Sequence, residues 1–398
     1  MRSVAEHQQV VAALVRPVRP TAVALRHAAG RVMAEDWVAS SPLPMFDNSA
    51  MDGYALRAVD IAGAPGVPVS LPVVHDIPAG QLDSPPLQPG TAHRIMTGAP
   101  MPAGADTVVQ VEATDGGTDV VQVLEARSEG EHVRYAGEDV RVGDTVLRCG
   151  AVLGPAQLGL LAALGAAQVS VLPAIRVLIV STGSELVEAG VAPRHGQIFD
   201  ANGPMLAAAV EAAGGRPELT RFVADDVAQL RAVLDAGLDD TDLIVTSGGV
   251  SAGAYEVVKD TLGPEDVTFA KVAMQPGMPQ GAGTYRGTPI ITLPGNPVSA
   301  LVSFEVFVRP ALRAAMGFGD PLRPLVAATL SARLESPAGR RQFRRATLEP
   351  ATGSVQAVGP PASHFLRSLA ASNCLLDIEE DVTVLEAGSR VNVWRLDQ

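Results

Sequence analysis

At 398 residues the chain is too long for one hydrophobic core, and two to four domains are expected. An apolar content of 47% against 18% charged residues excludes a disordered chain. A net charge of −13, with Lys259 and Lys271 as the only lysines, leaves no basic stripe and argues against a nucleic-acid partner. Cys149 and Cys374 stand far apart with no CxxC, so neither a disulfide framework nor structural zinc is expected. The N-terminus has no signal-peptide core and no apolar run reaches membrane-spanning length. The expectation is a cytoplasmic protein with no membrane contact.

Residues 1–40 read as helix, first VAEHQQVVAALVRP and then TAVALRHAAGRVMAED with Thr21 as a cap. SPLPMFDNSAMDGYALR breaks that pattern with two prolines and a polar turn cluster. From about 56 to 133, Val-rich runs bounded by Gly, Pro and Asp predict a small β domain. RYAGEDVRVGDTVLRCG follows, then AVLGPAQLGLLAALGAAQVSVLP, a Leu/Ala helix entering a strand. The β domain therefore reads as an insertion between two parts of a helical domain. From Ala174, helices alternate with apolar strands, which implies a parallel sheet covered on both faces. Past FGDPLRP (318–324) the period changes to short strands and turns, a separate and barrel-like β domain.

Three junctions in the α/β region read as strand, small Gly-rich turn and helix: VLIVSTGSELVE (177–188), DLIVTSGGVSAGAYEVVKD (242–260) and PIITLPGNPVSALVSFEVF (289–307). Free N–H groups at helix starts hold oxyanions, and open α/β sheets bind ligands at the carboxyl ends of their strands. Ser181, Thr182, Gly183 and Ser184 supply donors and a turn; Ser247 with Gly248 and Gly249 permits close backbone approach; Pro294, Gly295 and Asn296 open the third helix, with Ser299 adding a hydroxyl. Acids in or beside these turns are Glu185, Asp242 and Glu256. An anion site built with acids calls for a divalent metal between them. By spacing alone, Asp242 opens its strand and sits at the wrong end for the crevice.

Three further clusters precede this region. FDNSAMDGYA (46–55) holds Asp52 beside Gly53, free to approach a metal or substrate, whereas Asp47 and Asn48 equally serve as turn caps. RIMTGAPMPAGADTVVQVE (94–112) offers the Thr97 hydroxyl and the Gly98 N–H, or is an ordinary β connection. In RYAGEDVRVGD (134–144), Arg134 suits bidentate phosphate binding, and Asp139 is a metal ligand or a cap. The histidines form no HxxxH, and neither GxSxG nor GxxxxGK[ST] occurs.

FDNSAMDGYA, RIMTGAPMPAGADTVV, AGEDV, STGSEL, GQIFDANG, TSGGVSAG and LPGNPVSA, in this order, resemble the molybdopterin molybdenumtransferases over essentially the whole chain. The resemblance extends to the corresponding part of gephyrin. It implies that molybdenum from molybdate is inserted into adenylylated molybdopterin, releasing AMP and forming molybdenum cofactor, with Mg²⁺ assisting. It implies a multidomain α/β fold in four parts. These are a helical linker domain (1–40 and 134–173), an inserted β domain (41–133), a central three-layer α/β molybdopterin-binding domain (174–317) and a C-terminal β barrel (318–398). It also implies a homodimer whose site lies between the α/β domain of one subunit and the inserted domain of the other. Carried over by motif, Asp52, Thr97, Asp139, Glu185 and Asp242 take catalytic roles. Asp52, Glu185 and Asp242 take the metal. Arg134 and the residues of the three turns take the substrate.

The chain departs from the family at MQPGMPQG (274–281), where a KPGKP motif is usual: Gln275 and Met278 replace its lysines. PASHFLRSLAASN (361–373) also matches less closely, with Ala362, Ser363 and His364 where smaller residues are usual. Other readings are a molybdopterin adenylyltransferase, against which the additional β domains argue, and a pyridine-nucleotide amidase, against which FDNSAMDGYA argues. A third is a non-catalytic molybdopterin-binding scaffold, which would bind the pterin and release no AMP.

Overall fold

The computed structural model describes residues 1–64, 66–81, 83–249, 257–263 and 265–397, and only the backbone of 219–222. Glu256 and most of the second predicted turn, from Val250 onward, lie outside the described residues. Two compact units emerge: Met1–Ala22, Gly30–Ala34 and Ser170–Gln398 form the larger, and Val23–Ala29 with Glu35–Val169 the smaller.

The larger unit is organised by a six-stranded sheet in the order Arg216–Val223, Arg176–Thr182, Leu243–Ser247, Thr288–Leu293, Pro279–Tyr285, Val267–Lys271. The first four strands are parallel, and Pro279–Tyr285 runs antiparallel to both of its neighbours. The apolar strand runs are buried on both faces, as parallel strands between helices must be. Alternate side chains enter different cores. Val177, Ile179, Leu243 and Val245 pack with Leu206, Val210 and Val302, whereas Leu178, Val180 and Ile244 pack with Leu230, Leu234 and Val258. Helix Val4–Leu14 adds Val4 and Val11 to the first core, and its start is fixed by reciprocal hydrogen bonds between Ser3 and Glu6.

The C-terminal strands Leu325–Leu330, Arg341–Glu349, Ser354–Ala357, Cys374–Ile378 and Arg390–Arg395 close into a barrel when Arg341–Glu349 pairs with Cys374–Ile378. Closure removes the open edges such short strands would otherwise present. The short strand Met274–Gln275 runs parallel to Arg341–Gln342 and ties the α/β region to the barrel.

The smaller unit is built on a five-stranded sheet in the order Thr107–Gln110, Gly53–Leu56, Ala92–Ile95, Val69–Ile77, Val120–Val123. Its core gathers Tyr54, Leu56, Ile61, Val109, Val121 and Val123.

Two sequence expectations fail locally. Residues 21–36 are not a helix: Leu25–His27 forms one 3₁₀ turn, Val32–Met33 pairs antiparallel with Val171 and Leu172, and Gly30 adopts φ +71°. Pairing and a left-handed glycine outweigh the helical propensity of an Ala-rich segment. STGSELVE does not enter a helix either. Leu186–Val187 pairs in parallel with Ile198–Phe199, and the helix begins only at Asn202. Gly190 at φ +92° and Pro193 prevent a helix from propagating from Glu185.

A π-helical turn, Phe304–Val308, joins helices Pro297–Ser303 and Arg309–Ala315. It carries the buried Glu305, gripped at both oxygens by Arg323 (2.8 and 3.0 Å) with Arg309 Nε 3.5 Å away. Burial, reinforced by Arg323, pulls the Arg309 guanidinium down to about 10. Removing the carboxylate leaves two buried arginines facing each other. Glu305→Ala is expected to lower unfolding stability by about 3 kcal/mol, read as an earlier denaturant midpoint. An unchanged midpoint would show that the pair is solvated and dispensable.

Candidate functional site

Strands Arg176–Thr182, Leu243–Ser247 and Thr288–Leu293 are neighbours in register, Ser181 opposite Ser247 and Ser247 opposite Leu293, so their turns emerge side by side. They open onto a cleft of about 800 Å³ lined by Thr182, Gly183, Ser247, Gly248, Gly249 and 294–297, with Ser299. Gly248 N donates to Leu293 O at 3.1 Å, and at φ +95° a Cβ on this residue would lie 2.6 Å from the Thr182 carbonyl oxygen. Only glycine fits there, so the turns meet through backbone. Ser181 and Ser247 are buried with hydroxyl oxygens lacking a protein partner, and Thr182 Oγ1 reaches Ser247 O only at 3.4 Å.

Among the described residues, three carboxylates line this cleft: Glu185, Asp200 and Asp225. Asp225 is locked to the first turn by a reciprocal pair, Ser184 N donating to Oδ2 at 3.1 Å and Ser184 Oγ accepting from Asp225 N at 2.9 Å. Asp200 Oδ1 accepts from Gly203 N at 3.1 Å at the head of helix Asn202–Ala212, and Asn202 Nδ2 donates to Gly295 O at 2.7 Å. The GQIFDANG segment thereby fastens the first turn region to the third. Sequence reasoning overlooked Asp225. Its signal is the Asp225-Asp226 pair directly after strand Arg216–Val223, where one acid lines the cleft and the other caps helix Val227–Gly237 through Gln229 N at 2.8 Å.

Asp242 is not among the residues of the cleft. Its N–H donates to Arg176 O, and both its oxygens are engaged by Arg176, with Nη2 3.0 Å and Nε 3.1 Å away. Arg176 and Asp242 immediately precede or open two parallel strands at their entry ends, opposite the turns. The spacing argument, and not the family resemblance, describes its position. Gln275 does line the cleft, and its Oε1 accepts from the buried Gln342 Nε2 at 2.7 Å. Met278 is not among the lining residues; its carbonyl receives Val272 N.

The remaining wall is the loop 361–364 of the barrel region. Asn296 is the N-cap of its helix, but its side chain makes no capping bond; its Nδ2 donates to Ser363 Oγ at 2.9 Å, and Val298 N donates to Ser363 O at 3.2 Å. The buried Arg345 holds the loop from behind, donating to Ala362 O at 3.0 Å and to Pro360 O.

In the smaller unit the three early motifs come together. Asp47 Oδ1 accepts from Ala136 N at 2.7 Å, Asn48–Ser49 pairs with Val133–Arg134, and Gly98 N donates to Ser49 O at 2.8 Å. Asp47 is thus a turn organiser. Asp52 Oδ1 accepts from both Thr97 N (2.6 Å) and Thr97 Oγ1 (2.8 Å). These bonds, the backbone one first, hold its carboxyl below the usual Asp range. Arg134 and Asp139 are exposed, and Asp139 N donates to Leu43 O at 3.0 Å. Among the described residues, no helix is long and apolar enough to cross a membrane.

Comparison with known proteins covers the chain end to end. Residues 2–165 match the model of the MoeA N-terminal region (domains I and II), 178–314 that of a probable molybdopterin binding domain, and 327–396 that of the MoeA C-terminal region (domain IV). The chain is 59% identical over 404 residues to molybdopterin molybdenumtransferase 2 of Mycobacterium tuberculosis, with 100% of both chains covered. It is 39% identical over 424 residues to molybdopterin molybdenumtransferase 1 of the same organism, again with 100% of each covered. The crystal structure of a molybdopterin biosynthesis MoeA protein from Pyrococcus horikoshii superposes with a TM-score of 0.78 at 30% identity, covering 99% of this chain and 100% of that one.

The Asp52–Thr97 geometry gives a titration test. A carboxyl depressed in the folded state contributes stability above its unfolded value, about 3.9, and loses it as pH falls through the folded value. Carboxyl-carbon NMR is expected to show Asp52 titrating below the ordinary aspartate value. Thr97→Val, which keeps the N–H and deletes the hydroxyl, moves that titration upward, and Thr97→Ser leaves it in place. Equal titration in wild type and the valine variant would show that the hydroxyl bond does not form in solution.

Proposed function

The chain belongs to the molybdopterin molybdenumtransferase family, and from this and the cleft we infer how its residues serve the reaction. It is a transferase of molybdenum cofactor biosynthesis, inserting molybdenum from molybdate into adenylylated molybdopterin with release of AMP. The single observation that carries the assignment of the site is the meeting of backbone-lined oxyanion turns and carboxylates in one cleft. A nucleotide-linked pterin presents phosphates and a planar ring. The turn Ser247–Gly249, with Thr182 and Gly183 beside it, lines the cleft with main chain and small side chains, which leaves room for either.

Glu185, Asp200 and Asp225 offer only carboxylate oxygens, the donor type that magnesium takes. Among the described residues, no three His, Cys, Asp or Glu side chains converge to enclose an ion. Magnesium is commonly held by one or two carboxylates together with substrate phosphates. Bound there, it would neutralise charge on the pyrophosphate link. Glu185 and Asp225 are the residues proposed to hold it from the cleft, joined by Asp52 of a second copy. Asp242, already neutralised by Arg176, is not proposed as a ligand. The protein's own contribution is positioning. The Ser184–Asp225 pair fixes one wall, Asn202 and Gly295 another, and the Asn296–Ser363 bond the third.

The reading extends to a homodimer in which Asp52 and Thr97 of one copy serve the cleft of another. It is supported by the exposed Met45, Phe46 and Met51 beside the Asp52 motif, an apolar face that a second copy would cover.

The test uses purified protein with adenylylated molybdopterin, molybdate and magnesium, followed by AMP analysis. Asp52→Asn and Glu185→Gln are each expected to lower AMP release on the order of 10²-fold while leaving the fold intact. Mixing the two inactive variants under subunit exchange is expected to restore roughly a quarter of wild-type activity, because half of randomly paired dimers carry one intact site of two. No recovery on mixing would place Asp52 and Glu185 in the same subunit's site. Full activity in either single variant would remove that residue from the mechanism.

A further inference from the structure

The described residues lining the cleft include three carboxylates and no lysine or arginine. Residues 250–256, VSAGAYE, include no lysine or arginine. A polyanionic substrate must therefore enter a wall that repels it, in a chain where Gln275 replaces a lysine of the family pattern. Gln275 offers a neutral amide, with its oxygen already engaged by Gln342. Among the described lining residues, the side chain able to carry a positive charge is His364.

We propose that His364 is the oxyanion-binding side chain of this cleft, taking over the charge that the missing lysines would supply. The proposal rests on the reading of the cleft as a molybdopterin-nucleotide site. The loop bearing His364 is held rigidly on both sides. Arg345, 1% exposed, anchors the Pro360 and Ala362 carbonyls, and Asn296 and Val298 anchor Ser363. On its far side, Leu366 N donates to His364 O at 3.0 Å, and the imidazole lies against the Phe365 ring, centroids 4.4 Å apart at 32°. The residue itself is exposed and lines the cleft. The neutral ring donates one N–H and the protonated ring two, both suited to a tetrahedral oxyanion. The nearby Arg345 is buried behind the loop, where Nη1 and Nη2 hold the Ala362 and Pro360 carbonyls.

Two oxyanions share this chemistry, the phosphate of the nucleotide and molybdate itself, and separate arms distinguish them. Equilibrium dialysis at low salt would measure labelled AMP and, independently, molybdate on full-length wild type, His364→Gln and His364→Lys. The glutamine variant is expected to bind about tenfold more weakly. The lysine variant regains wild-type affinity or exceeds it, with a steeper loss on adding salt. Weakening confined to the AMP arm assigns His364 to the nucleotide phosphate, and weakening confined to molybdate assigns it to the metal oxyanion. Wild type and the glutamine variant binding both ligands equally well overturns the role of His364 while leaving the cleft's function standing. Wild type that binds neither ligand and releases no AMP overturns the reading of the cleft and this proposal with it.

Discussion

The site depends on a backbone contact too close for any side chain. Three parallel strands end level with one another, and the turn after the middle one must pass between its neighbours. Gly248 does so with its Cα facing the Thr182 carbonyl on one side and Gly295 on the other, where a Gly295 Cβ would sit 3.4 Å from Gly248 Cα. An alanine at 248 would have to displace main chain, not a flexible side chain. The turns therefore present peptide groups and small hydroxyls at a common floor, and little else can occupy it. Everything that selects a ligand must come from the walls.

Those walls are imported from elsewhere in the chain. The barrel strand Arg341–Glu349 contributes twice: Gln342 grips Gln275, and Arg345 grips the 360–362 carbonyls. Because this strand pairs with Ser354–Ala357 and Cys374–Ile378 within a closed barrel, both grips are backed by a ladder of main-chain hydrogen bonds. The parallel strand Met274–Gln275 then joins the barrel directly to the segment that bears the cleft. A β barrel beside an α/β sheet thus has a mechanical role: it stiffens loops that the sheet alone would leave hanging at its carboxyl edge.

How much of this could be read in the sequence follows from the range of the interactions. The apolar strands and glycine turns were legible because burial and positive φ leave local marks, and the closing of the last domain as a barrel followed from its period. The helix expected over 21–36 was not, because the pairing of Val32–Met33 with Val171 and Leu172 reaches across more than a hundred residues of sequence. The helix expected after STGSE failed for a related reason, since the partner of Leu186–Val187, Ile198–Phe199, lies beyond a Gly- and Pro-containing excursion. Asp225 escaped because two adjacent acids after a mixed strand look like an ordinary helix cap. One of them is; the other turns back to Ser184, and only the fold shows it. The Asp242 case runs the other way. Simple strand polarity put it at the entry end, and the Arg176 pair bears that out over motif analogy.

The electrostatics of the cleft bring these threads together. Carboxylates at Glu185, Asp200 and Asp225 would repel an anionic ligand by amounts that matter once water is partly excluded. Backbone N–H groups offset part of that, since they carry partial positive charge and are fixed before the ligand arrives. A family pattern with two lysines meets the rest with mobile, strongly hydrated charge. In this chain the same position is a neutral glutamine tied to a second glutamine, so no flexible cation is available there. The consequence is a cleft whose attraction for anions must be short-ranged, set by hydrogen-bond geometry at rigid loops and by whatever cation the carboxylates hold. Such a cleft trades long-range capture for positional selectivity. Its ligand affinity should accordingly depend less on ionic strength than that of a lysine-lined counterpart, because the donors that act on the anion are dipoles and one imidazole held in place, not free ammonium groups.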